Sequence, residues 1–164
     1  KHRGIECRQR STPAFISDVQ QDLVETLDEY RDPERVCEAL DARLAELQSG
    51  TVPPDALTTT IRVSKPAEQY SRDTRVAAAV TRAARKGCPK QPGESVSFVV
   101  VDDDATTSDR VQLDFEDPET YDAAYYKTQL YRAAESVLSP LNWRERDIRS
   151  YLADRTDTSL LHYS

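Results

Sequence analysis

The residues that most readily suggest chemistry are the three consecutive carboxylates Asp102-Asp103-Asp104, the cysteines Cys7, Cys37 and Cys88, and the histidines His2 and His162. Metal-assisted phosphoryl transfer needs carboxylates that converge from rigid elements, whereas neighbouring aspartates in a loop point in different directions. A solvated loop is therefore expected at 102–104. The cysteines are odd in number and lack CxxC spacing, and the histidines lie near opposite ends of the chain. Neither a disulfide framework nor a Cys/His zinc site is expected, and a reducing, cytoplasmic setting is. No P-loop, GxGxxG, GxSxG or HExxH pattern occurs, so the sequence assigns no catalytic residue, no metal ligand and no cofactor to this chain.

Cations offer a second kind of chemistry, the gripping of a polyanion. The net charge is −7, from 22 basic and 29 acidic residues, but it is unevenly placed. Residues 1–10 carry +3 and residues 62–90 carry +6, while residues 11–61 and 91–164 carry −8 each. A polyanion could be held at the two basic islands and repelled elsewhere. The plainer alternative is that the islands balance acidic neighbours on the folded surface. In the second island, a helix from Thr74 to Lys86, capped by Asp73 and ended by Gly87, would turn Val76, Val80 and Ala84 one way. Arg75, Arg82 and Lys86 would then fall within about 40° of one another on another face, with Arg85 at its margin, making a basic stripe about 16 Å long.

Positioning such groups falls to a mostly helical domain. Val19, Leu23, Val24, Leu27 and Tyr30 repeat at helical spacing, as do Val36, Leu40, Leu44 and Leu47 after Asp32-Pro33, which predicts two antiparallel helices closed by Gly50. A Thr-rich extended stretch covers Thr58 to Val63. Pro92-Gly93 opens a β-run, Val96 to Val101, and a polar loop leads to a second run, Arg110 to Phe115, predicting one hairpin at about 95–115. Tyr121, Tyr126, Leu130, Ala134, Val137 and Leu138 predict a helix ended by Pro140, and Trp143 to Leu152 another; the last dozen residues read as a tail.

A length of 164 residues suits one domain able to bury a core. Leu, Ile, Val and Phe make up 33 residues, a composition near the disordered range, so it is the helical periodicity that argues for a fold. No apolar run reaches the length of a membrane span, and none follows a basic N-terminus as in a signal peptide. Methionine is absent, which suggests a piece of a longer polypeptide.

Four segments carry a family resemblance. Gly4-Ile5-Glu6-Cys7-Arg8-Gln9-Arg10 resembles the GIExxRRD segment that enters the thumb of family B DNA polymerases. Lys65-Pro66-Ala67-Glu68-Gln69-Tyr70 resembles that family's (K/R)PLxxY segment, Pro92-Gly93 with Val96 to Val100 its PGxxVxYVV strand, and Tyr121 to Tyr126 its YDxxYY helix start. Order and spacing agree over nearly the whole chain. With 17 Arg against 5 Lys and with 17 Asp, the chain looks like the version found in a halophilic archaeon.

The resemblance implies an α+β fold, mostly α with a small β-hairpin. Its parts would be a 1–14 segment leading from palm to thumb, a thumb domain over 15–153, and a 154–164 tail. It implies contact with primer-template DNA at Arg10, with Arg8 compensating for Gln9, at Lys65 and Tyr70, and by position at Arg72, Thr74 and Arg75; Arg82 joins them through the basic stripe. The family's catalytic aspartates and their Mg2+ belong to the palm, which would be a partner, and nothing here matches them. Residues 157–164 resemble a sliding-clamp-binding box, QxxLxxaa, with Leu160 and Tyr163 as anchors. A rival reading is an acidic helical protein-interaction module without DNA affinity. No membrane partner is expected.

Overall fold

The computed structural model describes residues 12–66, 69–70, 74–105 and 107–162, with the side chains of Thr107 and of residues 156–162 left aside. Helices α1 (Ala14–Tyr30) and α2 (Pro33–Ser49) pack on each other across the link Arg31-Asp32. Arg31 ends α1 in the left-handed region, its N–H donating to the Leu27 carbonyl at 2.8 Å. Asp32 starts α2 by accepting the Glu34 N–H at 3.0 Å, and Pro33 occupies the first helical position, where its missing N–H costs nothing. Gly50, at φ +78°, closes α2 in a conformation that a side chain would strain.

Val36, Leu40, Leu44 and Leu47 are all buried, as their spacing predicts. On α1 the predicted stripe is only half right. Val19 and Leu23 are buried, but Val24 and Tyr30 lie in solvent, and Phe15, Ile16 and Gln20 complete the inner face instead. Arg35 covers the Tyr30 ring at 4.4 Å, which gives that exposed aromatic a local partner.

Helix α4 (Ala123–Leu138) lies against α1 and α2, and α5 (Glu145–His162) against α2 and α4. Asp122 caps α4 by accepting the Tyr125 N–H at 3.0 Å. Helix α5 runs ten residues past the predicted end at Leu152, into the segment read as a tail. Buried Ile148 and Leu152 seat it, and Tyr151 donates to Glu38 of α2 at 3.2 Å.

Among the described residues the β-structure is a three-stranded antiparallel sheet, one strand more than predicted. Strand β2 (Ser95–Val100) is central, flanked by β1 (Thr59–Arg62) and the short β3 (Val111–Leu113). The Thr-rich stretch supplies β1, with Thr59 opposite Phe98 and a Thr60–Ser97 hydroxyl pair at 2.7 Å. Phe98, Val99 and Val100 are all buried, so both faces of β2 are covered at that end, which explains an unbroken apolar run. Tyr126 of α4, fully buried, ties the layers together: its hydroxyl accepts the Val100 N–H at 2.9 Å and donates to the Leu57 carbonyl at 3.1 Å.

Helix α3 (Arg75–Arg85) packs on β2, β3 and the 3-10 turn Thr107–Arg110. The predicted cap is corrected by one residue: Thr74 accepts the Ala77 N–H at 3.1 Å, and Asp73 lies outside the described residues. The predicted inner line is corrected as well. Ala77, Ala78, Ala79, Val80 and Ala83 are buried while Ala84 is exposed. Alanine fits inside or outside, so the alanines left the helix rotation to its arginines. The described part is thus mostly helical with a small sheet, an α+β fold, and none of its helices is long and apolar enough to cross a membrane.

Candidate nucleic-acid interface

Two groups of predicted DNA-contact residues fall within the described structure, and they are differently placed. The first lies between β1 and α3. Lys65 is exposed, with its Nζ 4.9 Å from the centre of the Tyr70 ring. The Tyr70 hydroxyl accepts the Ser64 N–H at 2.9 Å and meets the Ser64 hydroxyl at 3.3 Å, and these bonds to Ser64 draw it below the usual phenol range. Its ring packs against the edge of the core. Arg62, exposed at the end of β1 opposite Ser95, is a further cation here that the sequence did not single out. Among the described residues, neither Lys65 nor Arg62 has a carboxylate within ion-pair distance.

The second group is the basic stripe of α3, which faces the protein's own acids. Arg75 grips Asp103 with two parallel bonds, Nε to Oδ1 at 2.9 Å and Nη2 to Oδ2 at 3.0 Å, and its guanidinium carbon lies 4.4 Å over the Tyr125 ring. Arg110 adds a third bond to Asp103 Oδ1 at 2.7 Å. Burial pushes the Asp103 carboxyl up, but the bonds from Arg75 and Arg110 outweigh it and hold the group below the usual carboxylate range. The Asp103 N–H donates to Asp122 Oδ2 at 2.8 Å, which joins this cluster to the start of α4.

One helical repeat further on, Arg82 grips Glu116 in the same forked manner, at 2.7 and 2.9 Å, and also donates to the Ser108 carbonyl at 3.0 Å. Lys86 Nζ stands 3.5 Å from Glu116 Oε1, an oxygen it shares with Arg82, and Arg85 donates to the hydroxyl of buried Ser108 at 2.8 Å. Arg82 above all, with the Leu113 N–H and Lys86 behind it, depresses the Glu116 carboxyl to about 2. Gly87, at φ +83°, lets the chain leave the helix just after Lys86.

The predicted stripe is present on α3, and its pairing with acids is what the plainer alternative anticipates. The cations share one side of α3, but hairpin carboxylates neutralise much of it. The solvated-loop reading of 102–104 holds for exposed Asp102 and Asp104 and fails for Asp103, which is half-buried between two arginines. Asp103 drew notice in the sequence only as part of a loop triplet and Tyr125 only within the Tyr121 to Tyr126 motif, while Glu116 was not singled out; the only signal for their pairing was that a segment of +6 precedes one of −8 and must fold against something. Among the described residues no cluster of His, Cys, Asp and Glu is arranged to hold a metal ion. Arg8, Arg10, Arg72 and Tyr163 lie outside the described residues, and of Leu160 only the helical backbone is described.

Comparison with known proteins gives a consistent result. The model of DNA polymerase family B matches residues 1–141. DNA polymerases of Thermococcus gorgonarius and Thermococcus kodakarensis are each 26% identical over 151 residues, covering 90% of this chain. The chain spans 20% of the first relative and 9% of the second. Among solved structures, the family B DNA polymerase of Pyrobaculum calidifontis aligns with a TM-score of 0.67 over 77% of this chain and 18% of that one. At 21% identity the likeness to that structure is one of fold.

Proposed function

Since the chain belongs to DNA polymerase family B, we propose that it is the thumb portion of a DNA-directed DNA polymerase, gripping primer-template duplex through phosphate contacts that ignore base sequence. The observation that carries this reading is the family match, which spans residues 1–141. A polymerase must hold any sequence, so its useful contacts go to phosphate and sugar, which carry no base information.

Lys65 and Tyr70, with Arg8, Arg10 and Arg72, supply the grip, joined by the exposed Thr74 at the start of α3. Arg75 joins them at the rim of the second group. Arg82, enclosed by Glu116 and Ser108, acts through the helix that it anchors. The palm is the partner domain, and it carries the catalytic aspartates and their Mg2+. The acids described here do not suit that ion, because Asp103 is committed to two arginines and Asp102 and Asp104 face solvent. The 154–164 segment is the candidate sliding-clamp anchor through Leu160 and Tyr163. The setting is cytoplasmic, and the Lys-poor, Asp-rich composition suits a halophilic archaeon.

The experiment is a fluorescence anisotropy titration with primer-template duplexes of unrelated sequence. Charge reversal at Arg10, Lys65 and Arg75 is expected to weaken binding alike for every duplex. Each lost phosphate contact should flatten the dependence of log affinity on log salt by about 0.9. Unchanged affinity in all three variants would remove the DNA role and favour the acidic interaction module.

A further inference from the structure

Arg75 and Arg82 make the same forked ion pair, yet their surroundings differ in a way that matters for an incoming phosphate. The Arg82 and Glu116 side chains retain 17% and 12% of their exposure, whereas Arg75 and Asp103 retain 38% and 26%. Arg75 and Asp103 also line an open depression of about 320 Å³, together with Thr128, Gln129 and Arg132 of α4 and the carboxylates Asp104 and Asp122. A phosphate therefore has more room to approach Arg75 than Arg82.

At Arg75 the place of that phosphate is already taken. A guanidinium presents the same fork to a carboxylate and to a phosphate, and Asp103 engages its Nε and Nη2. Bidentate contact with DNA along this edge requires Asp103 to let go. An aspartate stripped of its only cation in a half-buried site would resist release. Asp103 is not so placed, because Arg110, whose side chain is 13% exposed, bonds the same carboxylate at 2.7 Å. The Asp103 backbone stays tied to Asp122 whatever its side chain does.

We propose that Asp103 is a built-in competitor for phosphate at Arg75: DNA binding exchanges the carboxylate for a backbone phosphate on the Arg75 fork, and Arg110 retains the displaced carboxylate. The proposal rests on the duplex-gripping reading above. It makes the contact at Arg75 conditional, since anions too weak to displace Asp103 leave the pair closed. Among the described residues Lys65 has no carboxylate partner to exchange.

The test compares Asp103→Asn with Asp104→Asn in the full-length protein, by anisotropy with primer-template DNA. Both variants remove one negative charge from the same loop, but only the first releases Arg75. Asp103→Asn is expected to bind about fivefold more tightly than Asp104→Asn, from the loss of one competing ion pair. The difference should vanish when both are placed on Arg75→Ala. Equal affinities, or weaker binding by Asp103→Asn, would overturn the proposal while leaving the grip by Lys65 intact. Absence of DNA binding by the unaltered protein would overturn the thumb reading and this proposal with it. A readout on the unaltered protein avoids any folding defect of the variants: the Arg75 15Nε signal, assigned through Arg75→Lys, should shift on saturation with DNA while that of Arg82 stays. An unmoved Arg75 signal would also refute the exchange.

Discussion

Glu116→Gln is the change that most directly tests how α3 is held to the sheet. The Glu116 carboxylate takes two bonds from Arg82 and one from the Leu113 N–H at 2.8 Å, with Lys86 alongside, and only 12% of its side chain is exposed. Its pKa falls from 4.5 to about 2 in the fold. At about 1.4 kcal/mol per unit, that drop corresponds to roughly 3 kcal/mol, and solvent access through Lys86 reduces the expectation to about 2 kcal/mol. The sign follows from the depression: the unfolded chain takes up the proton first, so this contribution is complete above pH 4.5 and is lost as pH falls toward 2. Urea unfolding, followed by circular dichroism at several pH values, reads it out. The variant should be about 2 kcal/mol less stable at pH 7, and the gap should close by about pH 2. A gap that persists unchanged at low pH, or none at pH 7, would show that the ion pair is not what fastens α3. Asp41→Asn supplies the contrast, since its 3.5 Å pair with Arg155 is exposed and should contribute well under about 1 kcal/mol.

Two further outcomes test the core. Tyr126→Phe removes the partner of both the Val100 N–H and the Leu57 carbonyl in a site without solvent, so thermal unfolding should report a loss of about 1–3 kcal/mol. Burial pushes the Cys37 thiol up to about 12; iodoacetamide at pH 8, read by mass spectrometry, should label exposed Cys88 and reach Cys37 only after denaturation, and native labelling of Cys37 would show that α2 opens locally.

How much of this was legible in the sequence depended on whether a residue's role was local. The Asp32-Pro33 start of α2, its apolar stripe and its Gly50 end are all set by neighbours within a few positions, and all appear as predicted. Strand β1 is set by residues about 37 positions away, Thr60 opposite Ser97, and nothing within its own four residues announces a partner. Helix α5 overran its predicted end because the apolar spacing stops at Leu152, whereas the helical backbone continues to His162. On α1, Val24 and Tyr30 fitted the helical period but fell at the edge of its face, where a shift of a few tens of degrees decides burial.

The same distinction governs the site. Segment sums identified where cations are concentrated but could not say which of them face outward, because charge of one sign in a compact chain seeks the other sign before it seeks a ligand. Arg82 illustrates the outcome: the residue sits on the predicted stripe, yet Glu116, 34 positions away, encloses it. Lys65 illustrates the opposite case, a cation whose described neighbours are an aromatic ring and a serine. Between them stands Arg75, paired but half-open, and its behaviour is what separates a surface that merely balances itself from one prepared to hold DNA. If Arg75 exchanges partners, the retained Asp103 carboxylate and the incoming phosphate share the Arg75 and Arg110 guanidiniums, so the geometry of the interface changes together with its charge. Affinity would then depend on the fit of the fork to phosphate as well as on ionic strength. In a chain of net charge −7, that leaves a short-range grip that long-range repulsion and screening cannot by themselves abolish.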